Sequence, residues 1–175
     1  MSSHRLKINP TKTEFIWMAT SRRNHLIDHG PVSIYGTQIT PSPNVKLLGV
    51  HIDEELSLLV QISSTASSGF FHLRQIKAIR RCLPSDAARS LMNEFVVSRL
   101  DYCNSIYAGL PKSKTNRLQI VYSEAARLIF GASRYSHITP VLRDRFHWLR
   151  CTEWIQYKLC MTIFKASRLH GMALE

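Results

Sequence analysis

The acidic side chains that could hold a metal ion stand together at only one place in this sequence. Asp53, Glu54 and Glu55 follow one another, whereas the other acidic residues are scattered singly among basic neighbours. Metal-assisted phosphoryl transfer needs two or more carboxylates that converge on the ions. The triplet also suits the start of a helix, where the helix dipole favours negative charge. We prefer the helix interpretation, and we expect no catalytic residue, no metal site and no enzymatic activity in this chain.

Other catalytic arrangements are weak in this sequence. His25 and His29 have the i, i+4 spacing of a metal-binding pair on a helix, but they lead into a Gly-Pro pair that favours a loop. Ser98 and Asp101 place a hydroxyl near a carboxylate without the histidine that would activate a nucleophile. The seven glycines are isolated, so the sequence has no Gly-rich phosphate loop. None of the four cysteines forms a Cys-x-x-Cys pair, which argues against a zinc ribbon and favours reduced thiols inside a cell.

Basic residues dominate the charge of the chain. Among 175 residues there are 23 Lys and Arg against 12 Asp and Glu, and the net charge is +11. The excess lies in residues 57–175, which hold 17 basic and 7 acidic side chains, a net charge of +10. Fifteen of the basic residues are Arg, whose planar fork matches phosphate oxygens two at a time. We therefore expect a polyanionic partner, nucleic acid first, although a solvated cationic surface would have the same composition.

The basic residues form clusters at positions where helices are predicted to end or begin. Arg74, Lys77 and Arg81 share one face of a predicted helix, with Arg80 beside them. The candidate contacts to the nucleic-acid backbone in these clusters are Arg74, Lys77, Arg81, Lys112, Lys114 and Arg117. A further cluster, Arg143, Arg145 and Arg150, is interleaved with Phe146, His147 and Trp148. The aromatic rings of this cluster either pack on a sugar or base beside bound phosphate, or belong to the core.

The elements that must position these residues change type along the chain, which predicts an α+β fold. Residues 1–55 favour short strands: a β-prone run at 14–19, a hairpin around Gly36, and a nearly continuous apolar strand at 45–53 that should be covered on both faces or lie inside a sheet. Residues 56–175 have helical periodicity and predict a bundle of about five helices. We expect two parts accordingly, a small β piece and a helical domain.

Helix start and stop signals divide the second part. Helical periodicity from Glu55 onward predicts a first helix that reaches Leu83, with a weak stretch at 63–69 that favours a kink or a split. Ser85 is the expected N-cap of a helix that extends to about Tyr107. The remaining signals predict a third helix over about 114–130 with Gly131 as its C-cap, a short helix opened by Thr139-Pro140, and a last helix capped by Thr152.

Several blocks of residues stand in an order that resembles one protein family. They are Leu6–Glu14, Val45–Asp53, Ser98–Asn104 with Gly109–Pro111, Ala125–Ile129 with Ile138–Pro140, Phe146–Leu149, Tyr157–Cys160 and Phe164-Lys165. Together these blocks resemble the C-terminal part of the reverse transcriptase of non-LTR (LINE-type, Jockey-group) retrotransposons. The resemblance covers essentially the whole chain. Two departures are Phe146, where leucine is usual, and Leu149-Arg150-Cys151 in place of Leu-Pro-Val.

The resemblance implies a position within a polymerase shaped like a right hand. Residues 1–55 would be the end of the palm. Lys46 would lie on the strand that carries the primer grip, which makes it a seventh candidate contact to the nucleic-acid backbone. Residues 56–175 would be the helical thumb that holds the template–primer duplex. The family's catalytic Ala-Asp-Asp lies upstream of the stretch matched by Leu6–Glu14. The resemblance therefore implies a fragment without the catalytic aspartates, truncated at its C-terminus, with Mg²⁺ belonging to the parent RNA-directed DNA polymerase.

Partners and location follow from the same observations. No apolar run approaches about 18 residues and no secretory signal is visible, so we expect no membrane contact and an intracellular protein, nuclear or cytoplasmic. The expected partner is an RNA–DNA or DNA template–primer duplex, bound mainly through its backbone, together with the remaining palm and fingers. The alternatives are a non-catalytic helical module for protein interaction and an inactive relic with no independent function.

Overall fold

The computed structural model describes residues 9, 12–20, 22–27, 29–34, 36–133, 135–140, 142 and 149–172. The chain divides into two compact units, residues 1–61 and 62–175. Two small antiparallel sheets and about five helices confirm the predicted α+β class. The predicted division at residue 55 lies six residues before the boundary in the structure.

The first unit contains two β-hairpins. Strands β1 (Val32–Ile34) and β2 (Thr37–Ile39) pair antiparallel, with Val32 opposite Ile39. Gly36 stands in the connection with φ +80°, a value that glycine adopts without steric cost. The hairpin predicted around Gly36 is therefore confirmed.

The apolar run at 45–53 forms a second hairpin, so the prediction of one continuous strand is wrong. Strands β3 (Asn44–Leu47) and β4 (Val50–Asp53) pair antiparallel around a turn at Leu48 and Gly49. Both turn residues have positive φ, 48° and 84°, as the two central residues of a type I′ hairpin turn require. Neither a place inside a larger sheet nor cover on both faces is found, because the hairpin is a separate two-stranded sheet and Leu47 and Leu48 are 59% and 81% exposed.

The β-prone run at 14–19 is not a strand of either sheet. Only isolated backbone hydrogen bonds hold it: the Ser42 N–H donates to the Phe15 carbonyl, and the Ala19 N–H donates to the Glu54 carbonyl. The rings of Phe15 and Trp17 meet edge to face, with centroids 4.9 Å apart. Residues with strand propensity thus cover this unit as an extended segment without a regular ladder of hydrogen bonds.

The long first helix and the helix after it differ from their predicted forms. Helix α1 (Leu59–Ile79) is continuous through 63–69, so the helix is not split there, and a 3₁₀ turn follows at Arg80–Cys82. Helix α2 (Ser85–Met92) continues through a π-helical turn (Asn93–Val97) into α3 (Ser98–Asp101). The predicted extension to Tyr107 ends at Asp101, because Cys103 adopts left-handed φ 51° before a 3₁₀ turn at Asn104–Tyr107.

The last two long helices match their predicted positions closely. Helix α4 spans Lys112–Phe130, and Gly131 follows it in the left-handed C-cap conformation (φ 62°), as predicted. Helix α5 spans Cys151–Met172. Residues 138–140 are also helical, so Thr139 and Pro140 lie within that turn rather than before it.

The N-caps of α2 and α5 are not the residues predicted, Ser85 and Thr152. Pro84 precedes α2 as its N-cap, and its carbonyl accepts the Ala88 N–H at 3.0 Å, while Ser85 is already helical. At the start of α5, the side chain of Glu153 accepts the backbone N–H of Arg150 at 2.9 Å. This contact is the reciprocal half of a capping box, which assigns the cap to Arg150 rather than Thr152.

Helices α1 and α4 lie side by side in the second unit and run in the same direction. Arg117 bonds to Ser63 near their starts, Gly69 packs on Val121 midway, and Arg80 bonds to the end of α4. The most deeply buried side chains of this unit come from α1, the helices between 85 and 101, and α4: Ile62, Met92, Val96, Leu118, Val121 and Ala125. The α1–α4 pair is therefore part of the core of the unit.

No helix in the described ranges is long and apolar enough to cross a membrane.

Candidate nucleic-acid interface

A groove with a volume of about 750 Å³ lies between the C-terminal halves of α1 and α4. Because the two helices run in the same direction, their C-terminal turns form its two sides. We call it the α1–α4 groove. Its lining residues are Phe70, Leu73, Arg74, Lys77, Arg80 and Arg81 from α1 and the turn after it, and Ile120, Glu124, Arg127, Leu128, Gly131 and Ala132 from α4 and its cap.

The groove brings together three of the seven residues predicted to contact nucleic acid. Arg74, Lys77 and Arg81 all line it, and all three are exposed. Among the residues that the structure describes, none of the three side chains forms a hydrogen bond or an ion pair. Their positive charges are therefore available to an external anion.

Arg80 also lines the groove, but its guanidinium group is occupied. Nε donates to the Leu128 carbonyl at 3.1 Å, Nη2 to the Ile129 carbonyl at 3.2 Å, and Nη1 to the Leu83 carbonyl at 3.1 Å. The carbonyls of the last turn of a helix lack intrahelical partners and carry the negative end of the dipole. Arg80 thus caps α4 and holds it to the end of α1.

Arg127 is a groove cation that the sequence analysis did not single out as a contact. Its Nη1 lies 2.8 Å from Oε1 of Glu124, one turn earlier on α4. Its Nε atom is buried and has no partner in the part of the chain that the structure describes. The i, i+3 pair with Glu124 is readable in the sequence, but its place opposite Arg74 and Lys77 follows only from the packing of α1 against α4.

Lys112, Lys114 and Arg117 lie at the other end of α4. Arg117 donates to the Ser63 hydroxyl at 2.9 Å, whereas the two lysine side chains make no hydrogen bond or ion pair within the described ranges. The first turn of α4 contains no acidic residue. With a rise of 1.5 Å per residue, Lys114 and Arg127 are about 20 Å apart along the helix axis. The structure therefore separates the predicted contacts of this unit into two groups.

Lys46 lies in the first unit, on β3, opposite His51 in the hairpin register. It is exposed, and its backbone N–H lies 3.4 Å from Oε2 of Glu14. The sequence placed it on a strand, and the strand is present, although it is shorter than predicted. The cluster of Arg143 and Arg145 with Phe146, His147 and Trp148 lies outside the described residues.

The acidic triplet organises a turn. Asp53 Oδ1 and Oδ2 accept the backbone N–H groups of Ser57 and Leu58, each at 2.7 Å. Partial burial alone would raise the pKa of Asp53. Hydrogen bonds to its carboxylate, chiefly those from the backbone of Ser57 and Leu58, together outweigh burial and hold the pKa below its ordinary value. All three acidic residues lie before α1, whose first turn contains no acid, so the expectation that the triplet occupies the start of that helix is wrong.

The described residues contain no group of three or more His, Cys, Asp and Glu side chains close enough to hold a metal ion.

A partly exposed aromatic cluster lies on the surface of the second unit and was not predicted from the sequence. The ring of His72 is 5.3 Å from Phe71 and 5.6 Å from Phe95, centroid to centroid. Phe71 and Phe95 are 50% and 44% exposed. Desolvation and, secondarily, the charge of Arg99 lower the pKa of His72. The contact between His72 and Phe95 joins α1 to the π-helical turn, so the spacing of residues along the sequence did not reveal it.

Comparison with family models, with curated proteins and with solved structures finds no match to this chain.

Proposed function

We propose that the second unit binds the phosphate backbone of a template–primer duplex, as the thumb of a non-LTR retrotransposon reverse transcriptase would. The observation that carries the proposal is the set of three exposed cations, Arg74, Lys77 and Arg81, that line one groove without an internal partner. The resemblance of the sequence blocks to the reverse transcriptase family indicates the class of partner, an RNA–DNA hybrid duplex or a DNA duplex. The role is to hold the duplex by its backbone and not to read its bases.

Local electrostatics does not by itself explain why these cations are gathered. Like charges three or four residues apart on a helix repel by about 0.2–0.5 kcal/mol per pair. The negative end of the α1 dipole offsets this by about 0.3–1 kcal/mol for a cation in the last turn. The cluster is therefore tolerated rather than strongly stabilising. A phosphate bridging Arg74 and Lys77 would convert the repulsion into two charge-assisted hydrogen bonds.

A second basic group, Lys112, Lys114 and Arg117, lies at the start of α4. Lys114 of this group and Arg127 of the groove are about 20 Å apart along the helix axis. Successive phosphates on one strand of B-form DNA are about 3.4 Å apart along the duplex axis, so the two groups span about six nucleotides. A strand of that length matches the axial separation of Lys114 and Arg127.

The test is a fluorescence-anisotropy titration of the full chain with an RNA–DNA hybrid duplex, repeated between 50 and 200 mM salt. Each phosphate contact contributes about 0.9 to the slope of log K against log salt. The double variant Arg74→Gln/Lys77→Gln should therefore lose about two units of slope. Lys165→Gln/Arg168→Gln on α5 removes the same charge outside the groove and should leave the slope nearly unchanged. Binding that does not respond to salt would contradict the proposal.

A second candidate function is favoured by exposed apolar side chains. Phe71 and Phe95 on one surface, and Ile163 and Phe164 on α5, are each between 44% and 59% exposed. Large exposed apolar residues in contiguous patches mark protein interaction sites. A helical interaction module would bind a hydrophobic dye and self-associate in sedimentation experiments, and its binding to duplex would be weak and independent of the groove cations.

A further inference from the structure

We infer that the α1–α4 groove accommodates one unpaired nucleotide of a bound nucleic acid, with the base against an apolar floor and the phosphates on the cationic rim. This inference rests on the proposed function, since it assigns a ligand to the same groove. It adds that the groove distinguishes a strand with an exposed base from a fully paired duplex.

The groove has an apolar floor that phosphate binding does not require. Leu73 is 7% exposed, Phe70 and Leu128 are half-buried, and Ile120 is 45% exposed. Arg74, Lys77 and Arg81 line the same groove and are exposed, so their charged ends form its rim. A phosphate needs only the charged rim, whereas a base presents a flat apolar face as well. The combination therefore matches a nucleotide better than it matches an isolated anion.

The size of the groove supports the same ligand. Its volume of about 750 Å³ falls in the range of pockets for small organic ligands, which is about 300–1,000 Å³. A paired duplex would present only its phosphates to the rim, because its bases are stacked inside. An unpaired nucleotide can turn its base toward Phe70 and still leave its phosphates at the rim.

The end of the groove is kept open by small residues. Gly131 and Ala132 line it, and a Cβ at Gly131 would meet nothing within 4 Å. Arg80 holds the carbonyls of Leu128 and Ile129 on the neighbouring turn, so this opening is bounded by a fixed helix end. One rim cation, Arg127, is already paired with Glu124, the one acidic side chain among the lining residues. The three cations that line the groove and are unpaired within the described residues therefore outnumber its one acidic side chain, which is already paired.

The experiment compares three hybrid duplexes in anisotropy titrations at one salt concentration: a blunt duplex, one with a single unpaired nucleotide at its end, and one with an abasic unit there. The wild-type chain should bind the base-bearing extension about tenfold more tightly than the abasic extension, the effect expected of one stacked base. Equal affinity for these two probes would overturn the inference, while salt-dependent binding of all three would leave the proposed function intact.

Variants of the apolar floor test the contact with the base. Phe70→Ala should abolish the preference for the base and leave blunt-duplex binding unchanged, whereas Phe71→Ala, the adjacent phenylalanine outside the groove, should retain the preference. Ile120→Gln changes an already exposed floor residue and is a second test if Phe70→Ala does not fold. A preference that survives both Phe70→Ala and Ile120→Gln would contradict the assignment. So would binding of a free nucleoside monophosphate as tight as that of the extended duplex.

Discussion

Gly69 on α1 lies so close to Val121 on α4 that a Cβ at position 69 would come within 2.6 Å of Val121 Cγ1. Val121 is fully buried, and its β-branched side chain has little freedom to move away. The contact therefore fixes the distance between the two helices that line the groove. It also explains why a residue with poor helix propensity occupies the middle of an unbroken helix.

Gly69→Ala should destabilise the chain even though alanine favours helix by about 1 kcal/mol. Overpacking at a buried contact costs about 1–3 kcal/mol, and the clash with Val121 Cγ1 is close enough to outweigh the gain in propensity. The free energy of unfolding from urea titration checks this. The control, Ser67→Ala on an exposed face of α1, should be neutral or slightly stabilising. An increase in stability for Gly69→Ala would show that the helices separate easily.

Arg80→Lys should lower the free energy of unfolding although it keeps the positive charge. Lysine cannot reproduce the fork that reaches the carbonyls of Leu128 and Ile129 at once. Hydrogen bonds to charged groups contribute about 1.5–3 kcal/mol, and a partly exposed set should fall at or below the lower end. Arg81→Lys, a neighbour without such bonds in the described structure, should change stability little. Equal effects of the two substitutions would show that the bonds of Arg80 do not stabilise the fold.

Lys112→Glu should change stability and binding in opposite directions. Lys112 is the first residue of α4, where the dipole favours an acid, so the glutamate should stabilise the fold by about 0.3–1 kcal/mol. If this end of α4 contacts phosphate, the same change should weaken duplex binding and reduce the salt slope by about one unit or more. Thermal unfolding and anisotropy measure the two effects, and Lys112→Gln should lie between wild type and Lys112→Glu. Unchanged binding would remove Lys112 from the interface.

The first unit should lose stability in acid because of Asp53. Hydrogen bonds from Ser57 and Leu58 hold the pKa of Asp53 below its ordinary 3.8, so the carboxylate binds protons more weakly in the folded than in the unfolded chain. The stabilisation is present above pH about 4 and is lost as the pH falls through the lowered pKa. An NMR titration of the Asp53 carboxyl carbon should give a midpoint below 3.8. Asp53→Asn should reduce the acid sensitivity of this unit, and an ordinary or raised midpoint would contradict the assignment.

Where local chemistry decides an element, the sequence predicted it. Gly36 and Gly131 adopt the positive φ values expected at a hairpin and a helix C-cap, and the apolar stripe of α4 predicted its extent to within two residues at its start. These features depend on residues a few positions apart, because backbone sterics and helical periodicity act over that range.

Other elements were mispredicted because competing local patterns were equally strong. The run around Leu48 and Gly49 is apolar enough for a buried strand, but the pair turns the chain in a hairpin. Leu48 must adopt positive φ there, which its side chain does not favour. The capping role of Arg150 was missed because Thr152 is the better intrinsic cap, and the contact with Glu153 decides between them.

The sequence by itself determined the composition of the basic surface: how much charge there is, and that it lies in residues 57–175. Helical spacing placed Arg80 beside the face shared by Arg74, Lys77 and Arg81, but it could not show what the Arg80 side chain binds. Only the tertiary structure decided that Arg80 is occupied by carbonyls of α4 while the other three line a groove. The physical reason is that those carbonyls lie 48 and 49 residues away in the chain, so no local pattern reports their approach.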